Sequence, residues 1–369
     1  MCNVSPPARA RFGWLLAALG VALLVIGCGG SGSGERVEED CPPPLSSVRG
    51  VGLSPRGMSL SGGLDPASLV AFYEEAGSHR GSAVLWNGAW RGDAVGGSDA
   101  GAAPAAARSV AVEASKRCLV AVPVFGWRAG NTPLIKTAAN PTNDWTNTDA
   151  RERYASMLRA FVTEFRPPYV FLGNENEFYF EQAPGDYANW VAAYNAAYDA
   201  IKAAAPETLV GPVFNYEHLA GLGALNGWTK PLWGALEAHD LAKVDVVGLS
   251  VYPFLGATAP DAIRDDYFAP LFARIGPKPV AVTETGWPAE ALGGTNLPWV
   301  AGEHEQVEYI GKLAALLGGH EVRLENWLLL HALRDDGSNA QAYRLFGSVS
   351  LRNAAGEPRA AYEAWFGPP

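Results

Sequence analysis

The chain has 369 residues, 48% of them hydrophobic, and its 38 acidic against 28 basic side chains give a formal net charge of −10 at pH 7. This length supplies one large core and requires no second domain. The acidic balance, with no basic patch interleaved with aromatics, excludes nucleic acid and anionic lipid as natural partners, whereas a neutral polymer is indifferent to it.

At the N-terminus Arg9 and Arg11 precede the apolar run 14–26, too short for a comfortable bilayer span and suited to the core of a signal peptide. Val25-Ile26-Gly27-Cys28 resembles the bacterial lipobox. That resemblance implies removal of residues 1–27 and lipidation of Cys28, whose acyl chains supply the multiple anchors that stable membrane attachment needs. Loss of Arg9 and Arg11 leaves a formal charge of −12. Residues 28–47 read as a flexible tether, with Gly29 to Gly34 a glycine-serine run and Glu35 to Asp40 acidic. With Gly29 and Gly30 after the cysteine there is no acidic retention signal, so the outer membrane of a bacterial envelope is the expected address. Cys41 and Cys118 remain, and an exported compartment permits a disulfide between them.

From Val48 onward, short apolar runs alternate with segments of helical period, the pattern of βα units around a parallel sheet. The first strand is expected over 48–53. A helix over 65–76 follows, with an Asp65-Pro66 start that places a cap and a first-turn proline. Strand 82–86, an Ala-rich helix 102–117 and strand 119–125 come next. Thr148-Asp149 opens an amphipathic helix with Tyr154, Met157, Leu158, Phe161, Val162 and Phe165 on one stripe. Pro167-Pro168 ends it and launches strand 169–172. Asp186 starts a helix whose Trp190, Val191, Tyr194, Tyr198 and Ile201 read as core. Strands 209–214, 244–251, 279–283 and 324–330 are separated by helices 228–239, 261–275 and 304–317, and a helix over 360–366 closes the chain. Eight such units over residues 48–369 specify an α/β fold, a single (β/α)8 TIM barrel.

Two of these strands end in the same way. Tyr169 to Leu172 stops at Gly173-Asn174-Glu175, and the strand 109 positions later stops at Glu284-Thr285-Gly286-Trp287-Pro288. In a parallel barrel the C-terminal ends of all strands share one face, so two carboxyls distant in sequence can flank a single bond. With Val251-Tyr252-Pro253-Phe254, these motifs resemble clan A of the glycoside hydrolases, and most of all the endo-β-1,4-galactanases and endo-β-1,3-glucanases. The resemblance covers three strand ends, not the whole chain. It implies Glu175 as general acid/base, Glu284 as nucleophile and Asn174 as ligand of the sugar hydroxyl beside the reacting carbon. Tyr252 matches the tyrosine that donates to the nucleophile. Hydrolysis with retention is the implied outcome, which needs carboxyls about 5–5.5 Å apart.

Glu177 is the rival acid in the same stretch, with the parity of Glu175 but one pleat beyond. Trp86, Trp90, Trp127 and Trp287 cluster after strand ends, and indole faces stack well on sugar rings. Trp86, Trp127 and Trp287, with Asn215 and His331, are therefore candidate substrate contacts, and Arg334 is a further cleft residue. Trp327 lies inside a strand and reads as core. Arg91 departs from the family, which offers an arginine from the second strand itself. Glu303-His304-Glu305 lacks the spacing of a zinc site, so no metal or other cofactor is expected.

The implied protein is a monomeric, lipid-anchored β-glycosidase, endo-acting on a β-linked polysaccharide or oligosaccharide, with galactan, β-1,3-glucan and other β-linked polymers all open. The alternatives are a polysaccharide-binding surface lipoprotein that keeps the barrel without catalysis, and a structural envelope protein, for which no repeat or coiled-coil signal speaks.

Overall fold

The computed structural model describes residues 41, 46–59, 65–89, 103–126, 144–291, 297–337, 343 and 345–367. The expectations for residues 1–40, including Cys28, and for Trp90, Arg91 and Trp127 lie outside the described residues.

Eight parallel strands close a barrel in chain order: β1 Val48–Gly52, β2 Ala83–Ala89, β3 Val120–Gly126, β4 Tyr169–Leu172, β5 Leu209–Asn215, β6 Val247–Val251, β7 Val280–Thr285 and β8 Val322–Trp327, with β8 paired back to β1. Alternation along each strand makes two apolar layers. Val48, Leu85, Val122, Val124, Phe171, Val213 and Leu324 fill the interior. Val84, Phe125, Val170, Phe214, Leu249 and Val282 face outward into the helical ring.

The main helices are α1 Pro66–Ser78, α2 Ala105–Lys116, α3 Thr148–Phe165, α4 Asn176–Gln182, α5 Tyr187–Ala204, α6 Tyr216–Ala220, α7 Gly234–Glu237, α8 Ala269–Ile275, α9 Glu303–Leu317 and α10 Ala360–Phe366. Asp65 caps α1 by accepting from Ser68 N, and Pro66 takes the first position, where a missing N–H costs nothing. The stripe on α3 is buried against the barrel wall, with Tyr154, Met157, Leu158 and Phe161 at most 1% exposed.

Three sequence expectations change. The segment 228–239 is helical only over α7, because Pro231 lacks the N–H that a helix needs and Gly227 turns with φ 76. The segment 261–275 becomes a 3-10 turn at Pro260–Ala262 followed by α8, whose Pro270 sits in the first turn. The last expected strand is two. β8 ends at Trp327, and β9 Leu329–His331 leaves the barrel to pair with β10 Ser350–Arg352.

Cys41 and Cys118 are bonded across 77 positions of sequence. Closing a loop of that length removes denatured-state entropy worth about 2–4 kcal/mol. The Cys41→Ser protein is therefore expected to lose that much unfolding free energy and to unfold at a lower denaturant midpoint, and an unchanged midpoint would show that packing alone holds this corner.

Candidate active site

The site begins with a turn. After β4 the chain reverses at Gly173, φ 76, where a Cβ would lie 2.1 Å from Asn176 Oδ1, so only glycine fits. Asn176 staples the reversal: its Nδ2 donates to the carbonyls of Leu172 at 3.3 Å and Val213 at 3.1 Å, and its Oδ1 accepts from Trp190 Nε1 at 2.8 Å. Held this way, Glu175 adopts φ 54, ψ 59, a left-handed conformation that costs a non-glycine residue roughly 1–2 kcal/mol. Strain of this kind persists where the surroundings over-determine it, and it collects at functional sites. The Glu175 side chain caps no backbone N–H of α4 and is fully buried.

A different device aims the second carboxyl. Across the β6–β7 pair Leu249 lies opposite Val282 while Ser250 lies opposite Glu284, so Thr283 is an extra residue, a β-bulge. Ala281 faces the interior. Strict alternation from there would put Thr283 and Thr285 inside and Glu284 outside. The bulge reverses the parity. Glu284 turns into the barrel mouth, and the Thr285 hydroxyl points outward, bonded to Tyr309 of α9 and to the Val251 carbonyl. Thr283 is pinned by its hydroxyl, which donates to the Leu249 carbonyl at 3.1 Å, and by Asn326 Nδ2, which donates to its carbonyl at 3.0 Å.

The two carboxyls have opposite company. Glu284 accepts from Asn87 Nδ2 at 2.8 Å on Oε1 and from the Tyr252 hydroxyl at 3.0 Å on Oε2, one donor for each oxygen. Glu175 accepts from Asn215 Nδ2 at 3.1 Å, and Ser250 faces the same carboxyl. Burial pushes both proton affinities up. For Glu175 the charges of Glu284 and Glu177 add to it and carry the group well above the usual carboxylate range. For Glu284 the donors Asn87 and Tyr252 oppose the rise. Of the two, Glu175 is therefore pushed further toward the neutral form, and Glu284 is the one whose donors favour the charge. Tyr252 is fully buried, and burial with the nearby carboxylate charges raises its proton affinity too, so it stays a donor. Its backbone N–H is held by buried Glu217 at 2.8 Å, which also accepts from the Tyr267 hydroxyl at 2.7 Å and whose pKa burial lifts to about 7.

Beside Glu284 a recess of about 50 Å³ is walled by Gly52, Leu53, Met58, Leu85, Asn87, Asn326, Leu328 and Leu329. Asn326 gives its Nδ2 to two carbonyls, which fixes the amide's orientation and leaves buried Oδ1 without a partner among the described residues.

Other sequence candidates fall elsewhere. Asn174, half-buried, sits on the turn beside Glu175. Asn215 is fully buried and both ends of its amide are used, Nδ2 on Glu175 and Oδ1 capping α6 through His218 N, so it holds the carboxyl and not a sugar. Trp287 is fully buried in the outer layer against Phe254 and Tyr309, with its N–H on the Val300 carbonyl at 2.9 Å. It offers no face to a ligand. Trp86 has outward parity, lies across Gly88 and meets Phe125 edge-on. At 4% exposure it brings a margin to the recess and no stacking platform. His331 leaves with β9, and its Nε2 meets Glu75 of α1 at 3.1 Å in a separate depression shared with Arg56, Asp65 and Arg352. Arg334 is exposed, its backbone N–H on the Met58 carbonyl. Trp327 is core, its N–H on the Val349 carbonyl. Glu177 turns away to Asn215 N and His218.

Sequence reasoning passed over Asn87, Ser250 and Asn326. Each is the polar residue of inward parity near the C-terminal end of its strand, and in β8 the other polar residues, Arg323 and Glu325, have the opposite parity; the signal is readable once the parity of the strand is known.

No protein-family model matches the sequence, and no curated protein matches it. Solved structures match its fold. A GH5_18 protein of Streptomyces cattleya, in complex with GlcNAc, aligns with a TM-score of 0.62 at 16% identity, over 88% of this chain and 80% of that one. An exo-β-1,4-mannosidase of Opitutaceae bacterium strain TAV5 gives 0.60 at 15% identity, over 87% and 58%. A family 39 glycoside hydrolase of Bacteroides cellulosilyticus WH2 gives 0.58 at 17%, over 88% and 64%. The chain thus spans about three fifths of the length of the last two. At these identities the likeness is one of fold, the (β/α)8 barrel.

Proposed function

We propose that this chain is a retaining β-glycoside hydrolase acting on a β-linked glycan. The observation that carries the reading is the pair of buried carboxyls at one barrel mouth, Glu284 with a donor on each oxygen and Glu175 pushed well above the usual carboxylate range by burial and neighbouring charge, an asymmetry that suits the division of labour in glycoside cleavage. The strand-end motifs and the glycoside hydrolases among the fold relatives support it.

In this reading Glu284, aligned by Asn87 and Tyr252, attacks the anomeric carbon while Glu175 gives its proton to the departing oxygen. The glycosyl ester on Glu284 is then opened by a water that Glu175, now a carboxylate, deprotonates. Two inversions give net retention. Attachment to the envelope through Cys28 and endo action on a galactan- or β-1,3-glucan-like polymer belong to the same proposal. The exo-mannosidase among the fold relatives makes end-wise cleavage the alternative.

The test is a panel of β-glucans, galactans and mannans with sizing of the products and the anomer formed first read by NMR. Oligosaccharides of mixed length with the β anomer first support endo action with retention, and monosaccharide alone supports exo action. Binding without turnover of any β-glycan or aryl β-glycoside would leave a polysaccharide-binding protein as the better account.

A further inference from the structure

One hydrogen bond behind Glu175 lies a buried ion pair that the reaction does not touch. Asn215 makes the connection. Its Nδ2 donates to Glu175 at 3.1 Å, its backbone N–H donates to Glu177 Oε2 at 3.0 Å, and its Oδ1 starts α6, the helix that carries His218. The His218 ring is tilted against Phe178 and stacked on Trp228, both with centroids at 4.4 Å. Its Nδ1 lies 3.4 Å from Glu177 Oε1 and its Nε2 3.4 Å from Glu181 Oε2, ion-pair distances longer than a tight hydrogen bond. Both ring nitrogens face carboxylate oxygens, and only the imidazolium has a proton for each.

Glu177 has no exposed surface and the His218 side chain only 2%, whereas Glu181 is 54% exposed. A buried pair of this kind is poor value as a source of stability, since desolvation offsets most of its attraction. Its position suggests another use. The titratable groups around Glu177 are His218 and Glu217 from α6, Glu181 from its own helix, Tyr187 from α5 and Glu175 from the end of β4. Burial lifts the proton affinity of Glu177, and His218, the one group among them that can carry positive charge, opposes that rise from the side that Asn215 does not occupy. A charge on Glu177 bears on Glu175 one relay away.

We propose that Glu177 and His218 are positioning residues for Glu175: the imidazolium keeps Glu177 ionised, and that charge, coupled through Asn215, keeps the proton on the acid until a leaving group takes it. The proposal rests on reading Glu175 as the acid, but its test needs no substrate.

Glutamate side-chain carboxyls labelled with 13C are titrated by NMR in the intact protein, with Glu175→Gln used to assign the Glu175 signal. In Glu177→Gln, near-isosteric and still able to accept from Asn215 N, the Glu175 midpoint should fall by about one pH unit or more, a tenfold or greater loss of proton affinity. His218→Gln should move it the same way, because a buried carboxylate without its cation takes up a proton. If the wild type turns over a glycoside, the alkaline limb of kcat/KM should shift to lower pH in step, while a merely structural role would lower rate or stability and leave both midpoint and limb in place. A Glu175 midpoint unchanged in the two variants overturns the proposal. A moved midpoint in a protein that cleaves nothing would instead count against the glycosidase reading alone.

Discussion

Replacing Glu284 with alanine is expected to cut turnover of every β-glycoside the wild type cleaves by on the order of 10⁴-fold or more, the scale on which loss of a covalent nucleophile is felt. The same substitution should make the protein responsive to azide. Removing the carboxylate empties a space bordered by two fixed donors, Asn87 Nδ2 and the Tyr252 hydroxyl, which the wild type spends on one anion. A small anion can sit there and attack the anomeric carbon, while Glu175 remains in place to protonate the leaving group. The product should be a glycosyl azide of inverted configuration, identifiable by NMR. Wild-type turnover in Glu284→Ala, on any substrate, would end the assignment.

Replacing Glu175 with alanine or glutamine should give a loss that depends on the leaving group. Sugars and alkyl alcohols need the proton, so their release should fall by about 10²–10⁴-fold, the usual worth of general acid catalysis. Dinitrophenyl glycosides, whose phenolate leaves unaided, should form the glycosyl-enzyme at close to the normal rate. The alkaline limb of the rate profile should vanish. In the wild type activity falls as pH rises through the raised Glu175 value, because the deprotonated acid has nothing to give. The stability that this carboxyl contributes should fall over the same rise in pH. A carboxyl whose folded value lies above its unfolded value contributes stability that is present at acid pH and lost as pH rises toward the folded value. Glu175→Gln, which does not titrate, should therefore melt higher than the wild type at neutral pH. A variant with equal losses on sugar and dinitrophenyl leaving groups would argue that Glu175 positions and does not protonate.

Much of this arrangement was legible in the sequence, for physical reasons that also explain the rest. The eight strands show as apolar runs because a parallel sheet is buried on both faces, and the helices show by their period. Glu175 and Glu284 stand out because each interrupts such a run. What sequence does not carry is parity. No residue type announces the extra place at Thr283 that turns Glu284 inward, and without the parity of β2 and β8 Asn87 and Asn326 look incidental. The tryptophans mislead for the same reason. Trp86 and Trp287 follow or end strands, where stacking on sugar is a fair expectation, yet their side faces the helices. His331 was misread because the chain leaves the barrel after Leu328, whose N–H on the Thr285 carbonyl is the last rung to β7, and the switch to pairing with β10 is invisible in an unbroken apolar run.

The bond between Cys41 and Cys118 also gives the molecule a direction. Cys118 lies just before β3, at the N-terminal rim of the barrel, and the seven residues of that strand separate it from the mouth by roughly 20 Å. The disulfide therefore clasps Cys41 to the rim opposite the opening beside Glu175 and Glu284, so the two ends of the barrel do separate work: one is where the chain is fastened, the other is where the carboxyls meet.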